Sequence, residues 1–174
     1  LPDHYRAALR AVIRYTIVMA FVALLVGISF QESARKLPYT RAAAGLHVEA
    51  ILPLALVHGH VFVMTVLLPL AMAGALLMAR RAGGAEVAPR AVRWLTHGYL
   101  SFAAATVALM LVKGYHYLLA VRGGEMDFAA SDRAFLGGQG LLRLVVYAVV
   151  HTGMGVTLGV FLVALWRSLG RRPV

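Results

Sequence analysis

Four long apolar stretches separated by short polar linkers constrain this chain more than any other feature of its sequence. The stretches lie at about 11–31, 49–79, 94–121 and 141–167, and the linkers contain about 17, 14 and 19 residues. Each stretch reaches the roughly 20 residues that a helix needs to cross a hydrocarbon core of about 30 Å. Short linkers force successive helices to run antiparallel. We therefore predict an all-α, integral-membrane, four-helix up-and-down bundle, with residues 1–174 forming a single transmembrane domain.

The composition agrees with a lipid environment, because 61% of the residues are hydrophobic and only 14% are charged. The formal net charge is +10, but the basic residues cluster between the apolar stretches. Membrane lipids are therefore the expected anionic partner, and nucleic acid is not. The chain has no cysteine, which excludes thiolate metal sites and covalent c-type heme attachment. The first stretch lacks a convincing small-residue cleavage site, so we interpret it as a permanent span.

The distribution of Lys and Arg predicts the orientation. One end of the predicted bundle carries ten arginines: Arg6, Arg10, Arg14, Arg80, Arg81, Arg90, Arg93, Arg167, Arg171 and Arg172. The other end carries six basic residues: Arg35, Lys36, Arg41, Arg122, Arg133 and Arg143. By the positive-inside rule, the first set and both termini face the cytoplasm of a bacterial inner membrane that the chain crosses several times.

Two histidines lie deep in the apolar stretches. His60 is in the second stretch and His151 is in the fourth. Both stretches enter from the outer side, so His60 lies about 17 Å down and His151 about 15 Å down. An imidazole in hydrocarbon is costly unless it is bonded. Two imidazoles at one depth on different helices therefore indicate a metal or a heme held between the helices.

We do not expect the neighbouring His58 to share that site with His60, since residues two apart point about 200° away from each other on a helix. The sequence leaves both His58 and His60 open as the ligand of this helix. In the fourth stretch, Gly155 and Gly159 follow His151 at four-residue spacing. This strip either leaves room for a planar ring beside Gly155 or is an ordinary helix-packing motif.

Two further residues of the third stretch are candidates. Lys113 is deep in this stretch, and it either pairs with an acidic group of a cofactor, such as a heme propionate, or extends to the outer interface. His116 lies between Tyr115 and Tyr117, where an aromatic belt is a simpler interpretation than ligation.

A heme iron suits the pair His60 and His151, because neutral imidazole nitrogens take both axial positions and a bundle interior buries the macrocycle. The other nitrogen of each ring then needs a hydrogen-bond acceptor, for which Thr65, Thr152 or a backbone carbonyl are candidates.

The stretch His60–Met64 (HVFVM) resembles the second transmembrane helix of the heme–copper oxidase catalytic subunit, in which a histidine of such a run ligates a low-spin heme. Four short motifs are also similar to a small bacterial four-helix membrane family of unknown function: GISFQE at 27–32, HGH at 58–60, LMLVKG at 109–114 and VHTGMG at 150–155. The oxidase resemblance implies bis-histidine heme near the outer surface with His60 as a ligand. His151 is proposed by depth and by the small-family pattern, because the other ligand of the oxidase lies in a helix that this chain lacks.

These observations favour a membrane-embedded b-type heme protein that serves electron transfer or redox or gas sensing near the outer face. Four spans offer no set of histidines for an oxygen-reducing binuclear centre, so we predict no catalytic residue and no stand-alone catalysis. One alternative is a copper-binding or copper-handling protein that uses His58, His60, His116 and nearby methionines. Another is a non-catalytic accessory subunit of a respiratory complex. A homodimer or a respiratory-chain partner is compatible with each of these hypotheses.

Overall fold

The fold is that of a computed structural model, which describes residues 1–35 and 44–170, with side chains for 1–33 and 50–170. Four of the basic residues used for the predicted orientation lie outside the described residues: Lys36, Arg41, Arg171 and Arg172. For Arg35 only the backbone is described.

The described residues form helices and no strand. Helix α1 is Asp3–Arg35 and α2 is Ala44–Val61; a first π-helix, Phe62–Leu67, continues α2 directly into α3, Leu68–Arg81. Helix α4 is Pro89–Arg93, and a second π-helix, Trp94–Tyr99, continues it into α5, Leu100–Arg122. Helix α6 is Phe128–Ala134 and α7 is Gly140–Leu169.

The predicted all-α class and the four long apolar helices are confirmed. Within the described residues, four continuous helical segments are long and apolar enough to cross a membrane: Asp3–Ser33, Ala50–Arg81, Pro89–Arg122 and Gly140–Leu169. Short helix α6 and the two π-helices were not predicted. The π-helices lie at matching levels, since the hydroxyl of Tyr99 in the second donates to the carbonyl of Met64 in the first at 2.8 Å.

The end of the bundle that carries both described termini, called the basic end here, is tied together by the linker between α3 and α4. The amide of Ala85 donates to the carbonyl of Ser168 on α7 at 2.9 Å. The amide of Val87 donates to the hydroxyl of Tyr5 on α1 at 2.8 Å, and His4 Nε2 donates to the carbonyl of Val87 at 3.0 Å. These bonds hold α1, α3 and α7 together at this end.

At the opposite end, α5 lies between α2 and α7. Leu54 of α2 packs on Gly114 of α5, where a Cβ atom would come within 2.6 Å of Leu54 Cδ2. Gly114 therefore permits the close approach of α2 and α5. Helix α7 also packs against α5, but among the described residues α2 and α7 make little direct contact with each other. The result is a groove between α2 and α7 whose floor is α5.

Candidate heme and anion site

The groove between α2 and α7, called the α2–α7 groove here, has a volume of about 510 Å³. Helices α2, α5 and α7 each contribute side chains to it, and α6 covers one end. Its lining consists of Leu52, Pro53, Leu56 and His60 from α2, Met110, Lys113 and Tyr117 from α5, Phe128 and Asp132 from α6, and Tyr147 from α7. An apolar groove with a few convergent polar groups is typical of a cofactor site.

His60 presents one ring nitrogen to this groove. Its Nδ1 lies 2.7 Å from the carbonyl oxygen of Leu56, one turn earlier on α2. A carbonyl oxygen only accepts, so Nδ1 carries a hydrogen, and in the neutral ring the lone pair is then on Nε2. Nε2 forms no hydrogen bond with any described residue, and the side chain is exposed. In its neutral form this ring has Nε2 as a donor nitrogen that no described residue occupies, which is the arrangement of a metal-ligating histidine.

His151 has the same arrangement on α7. Its Nδ1 lies 3.0 Å from the carbonyl oxygen of Tyr147, and its Nε2 bonds no part of the chain that the structure describes. The imidazole also stacks on the ring of Tyr147, with centroids 5.6 Å apart and planes 19° apart. Tyr147 lines the groove together with His60, whereas His151 does not line it and, in the part of the chain that the structure describes, contacts the groove only through Tyr147.

The acceptor for both rings is a backbone carbonyl, one of the three candidates that the sequence offered. Thr65 does not serve His60, because Nδ1 of His60 donates to the carbonyl of Leu56 at 2.7 Å and no hydrogen bond joins the two side chains among the described residues; the Thr65 hydroxyl donates to the carbonyl of Val61 at 2.6 Å.

His58 points to a different place. Its Nδ1 lies 2.9 Å from the carbonyl oxygen of Ala23 on α1. A Cβ atom on Gly27 would come within 3.0 Å of the same nitrogen. The expected divergence of His58 and His60 is thus observed, with His58 directed to α1 and His60 to the α2–α7 groove.

Asp132 of α6 joins three side chains at the covered end of the groove. Arg143 Nη1 donates to Asp132 Oδ2 at 2.9 Å and to its backbone carbonyl at 2.8 Å. Tyr117 donates its hydroxyl hydrogen to Oδ1, and Lys113 Nζ lies 3.4 Å from the same oxygen. The hydrogen bond from Tyr117, then that from Arg143 and the charge of Lys113, hold the pKa of Asp132 below its ordinary value of 3.8. One carboxylate thus faces two cations, so this end keeps one excess positive charge.

Lys113 therefore has an acidic partner within the protein, which the sequence did not indicate. Aromatic rings also surround it, because Nζ lies 5.4 Å from the ring centroid of Tyr117, 6.0 Å from that of Phe135 and 5.7 Å from that of Tyr147. Contacts of this kind stabilise an ammonium group in an apolar setting. Its side chain remains about one-third exposed and lines the groove.

His116 contacts α6 instead of the groove. Its Nε2 donates to the carbonyl of Ser131 at 2.8 Å, and its ring lies 5.3 Å from that of Phe135. These contacts hold α6 against α5.

Gly155 faces open space. A Cβ atom there, or on Gly159, would find no atom of the rest of the protein within 4 Å. Within the described residues this strip is therefore not used for helix packing, and a role of Gly155 beside a ring stays a prediction.

The histidines of the copper alternative do not converge. His58, His60 and His116 bond to carbonyls of α1, α2 and α6 respectively. No group of three or more His, Asp or Glu side chains within the described residues is placed to hold a metal ion.

Sequence reasoning missed Asp132, Arg143 and Tyr147 as parts of the site. A signal was present for two of them, since Arg143, Tyr147, His151 and Gly155 recur every four residues and so share one face of α7. Asp132 had no such signal, because its position depends on how the linker after α5 folds back.

Neither a protein-family model, a curated protein nor a solved structure matches this chain.

Proposed function

We propose that this chain is a membrane-embedded b-type heme protein in which His60 of α2 and His151 of α7 supply the two axial nitrogens. The observation that carries the proposal is the arrangement these two residues share. Each donates from Nδ1 to the carbonyl four residues earlier and keeps Nε2 free of any described partner. Such a bond fixes the tautomer and ring orientation and makes the ligand nitrogen more basic.

The α2–α7 groove supports the same proposal by its chemistry. Its walls combine aliphatic and aromatic side chains suited to a porphyrin face, and Lys113 and Arg143 lie at its covered end. The excess positive charge left there by Asp132 suits a carboxylate of the porphyrin.

A heme iron with two histidine ligands exchanges single electrons and binds small gases only when one ligand leaves. In this proposal the chain serves electron transfer or redox or gas sensing. Its own residues hold the two nitrogens in position, limit water access through the apolar walls and balance carboxylate charge through Lys113 and Arg143.

We further propose that the basic end faces the cytoplasm in a bacterial inner membrane, which places the groove in the outer half of the bilayer. The support is the excess of arginines at the basic end.

The absorption spectrum of the detergent-purified protein, produced with added hemin, tests the proposal. We expect a sharp reduced α-band of a bis-histidine b-type heme at about one heme per chain, as two axial nitrogens imply. His60→Ala and His151→Ala should each abolish it, and the matched variant His58→Ala should retain it. Size-exclusion profiles show whether each variant is folded, and added imidazole should partly restore the band in His60→Gly. Retention of the band in both His60→Ala and His151→Ala would refute the assignment.

A further inference from the structure

At the basic end, Arg93 and His97 stand between two grooves that open on the sides of the bundle. One groove runs between α1 and the α4–α5 segment, where Ala8 and Ala11 oppose Val92. The other lies along Trp94 and Phe102 at the side of α7. Arg93 and His97 line both grooves. We call these the Arg93 grooves.

The local backbone explains why these polar side chains lie together. Trp94–Tyr99 is a π-helix, whose turn is wider than that of an α-helix, so residues four or five apart lie nearly above one another. Arg93 precedes this segment and His97 lies within it. Gly98 permits α7 to pack here, since a Cβ atom would come within 2.6 Å of the Thr157 side chain.

The charge of the Arg93 grooves is not compensated. Arg90 and Arg93 are exposed, and neither forms an ion pair within the described residues. Among the described residues no carboxylate lines either groove. Glu86, from the preceding linker, lies 3.6 Å from His4, which lines the groove beside α1, so this carboxylate pairs with His4 and not with the two arginines.

We infer that Arg90, Arg93 and His97 bind the phosphate of an anionic glycerophospholipid whose acyl chains lie in the Arg93 grooves. Guanidinium groups form paired hydrogen bonds with phosphate, and basic pockets between helices recognise anionic headgroups. The apolar walls next to these cations fit acyl chains, whereas a free phosphate would leave them unused. Trp94 is 47% exposed beside the arginines, a position typical of an indole at the headgroup level. This inference does not rest on the heme proposal.

Native mass spectrometry of the purified protein titrated with phosphatidylglycerol or phosphatidylcholine tests this inference. We expect the full chain to bind phosphatidylglycerol about thirtyfold more tightly than phosphatidylcholine, given the contribution of two arginines near a headgroup. The variant Arg90→Gln/Arg93→Gln should lose this preference. The matched control Arg10→Gln/Arg14→Gln removes the same charge from exposed positions of α1 and should keep it. Inorganic phosphate should not displace the lipid.

The inference would be overturned if the double variant preferred phosphatidylglycerol as strongly as the wild type does. It would also be overturned if the control lost as much of this preference as the double variant, because a diffuse surface charge would then explain the binding. Displacement by inorganic phosphate would also overturn it, because the site would then take the free ion. If the double variant does not fold, Arg93→Lys keeps the charge but loses the guanidinium geometry. It should still weaken phosphatidylglycerol binding several-fold, and unchanged binding would count against the site.

Discussion

Helix α2 carries two histidines only two residues apart, and their surroundings differ in kind. His58 bonds the carbonyl of Ala23 across the closely packed contact with α1. His60 bonds a carbonyl of its own helix and lines the α2–α7 groove. The first imidazole joins two helices, whereas the second borders a space that a ligand can enter. Depth in an apolar helix is thus common to both histidines, and their contacts distinguish them.

The glycines repeat the contrast between a closed and an open side. Gly114 lies in the contact between α5 and α2 and has no room for a side chain. Gly155 lies on α7 one turn beyond His151 and has open space around it. We call the packed contact of α5 with α2 at Gly114 the closed side, and the surface of α7 around Gly155, which a ligand can cover, the open side.

Replacing a glycine by valine on each side gives the largest expected difference in stability. Gly114→Val should destabilise the bundle by about 3 kcal/mol, because overpacking against Leu54 forces both helices apart. Gly155→Val should change stability by less than about 0.5 kcal/mol, as at an exposed site. Unfolding in mixed micelles with increasing dodecyl sulfate measures both. Equal stability losses would show that the two sides do not differ in packing.

The charged cluster at the covered end of the groove gives the next largest effect. Asp132→Asn leaves Lys113 and Arg143 facing each other with an uncharged, weaker acceptor. We expect the free energy of unfolding to fall by about 2 kcal/mol after allowing for partial exposure. Asp127→Asn is the matched control on the same short helix, because asparagine still caps α6. The same unfolding assay compares them. A control variant that loses as much as Asp132→Asn would rule out a special role for Asp132.

The sequence was sufficient for some of these features and not for others. The four long apolar helices followed from hydropathy and helical rise, which depend little on local detail, whereas the common depth of His60 and His151 stays a prediction. The π-helices were not foreseen, and a projection at about 100° per residue does not hold through Phe62–Leu67. Asp132 was also missed, since its partners are set by tertiary contacts of a linker.

Acidification should remove the contribution of the same cluster. Its three partners lower the pKa of Asp132 in the folded protein below the unfolded value of 3.8. The carboxylate therefore stabilises the fold fully above about pH 4, and this contribution is lost as the pH falls through the lowered pKa. The difference in melting temperature between wild type and Asp132→Asn should be constant from pH 7 to about pH 5 and should shrink at lower pH. A difference that grows on acidification would contradict the assigned sign.

The smallest effect is expected from removing the bond between α1 and α2. His58→Ala loses the hydrogen bond to the carbonyl of Ala23, and bonds between helices in a membrane contribute about 0.6 kcal/mol on average. The unfolding midpoint should therefore fall only slightly. His58 contacts α1 and does not line the α2–α7 groove, so this variant should keep the heme band that His60→Ala loses. Complete loss of the band in His58→Ala, with the bundle still folded, would show that heme binding depends on His58 as well. The proposed distinction between the two histidines would then be wrong.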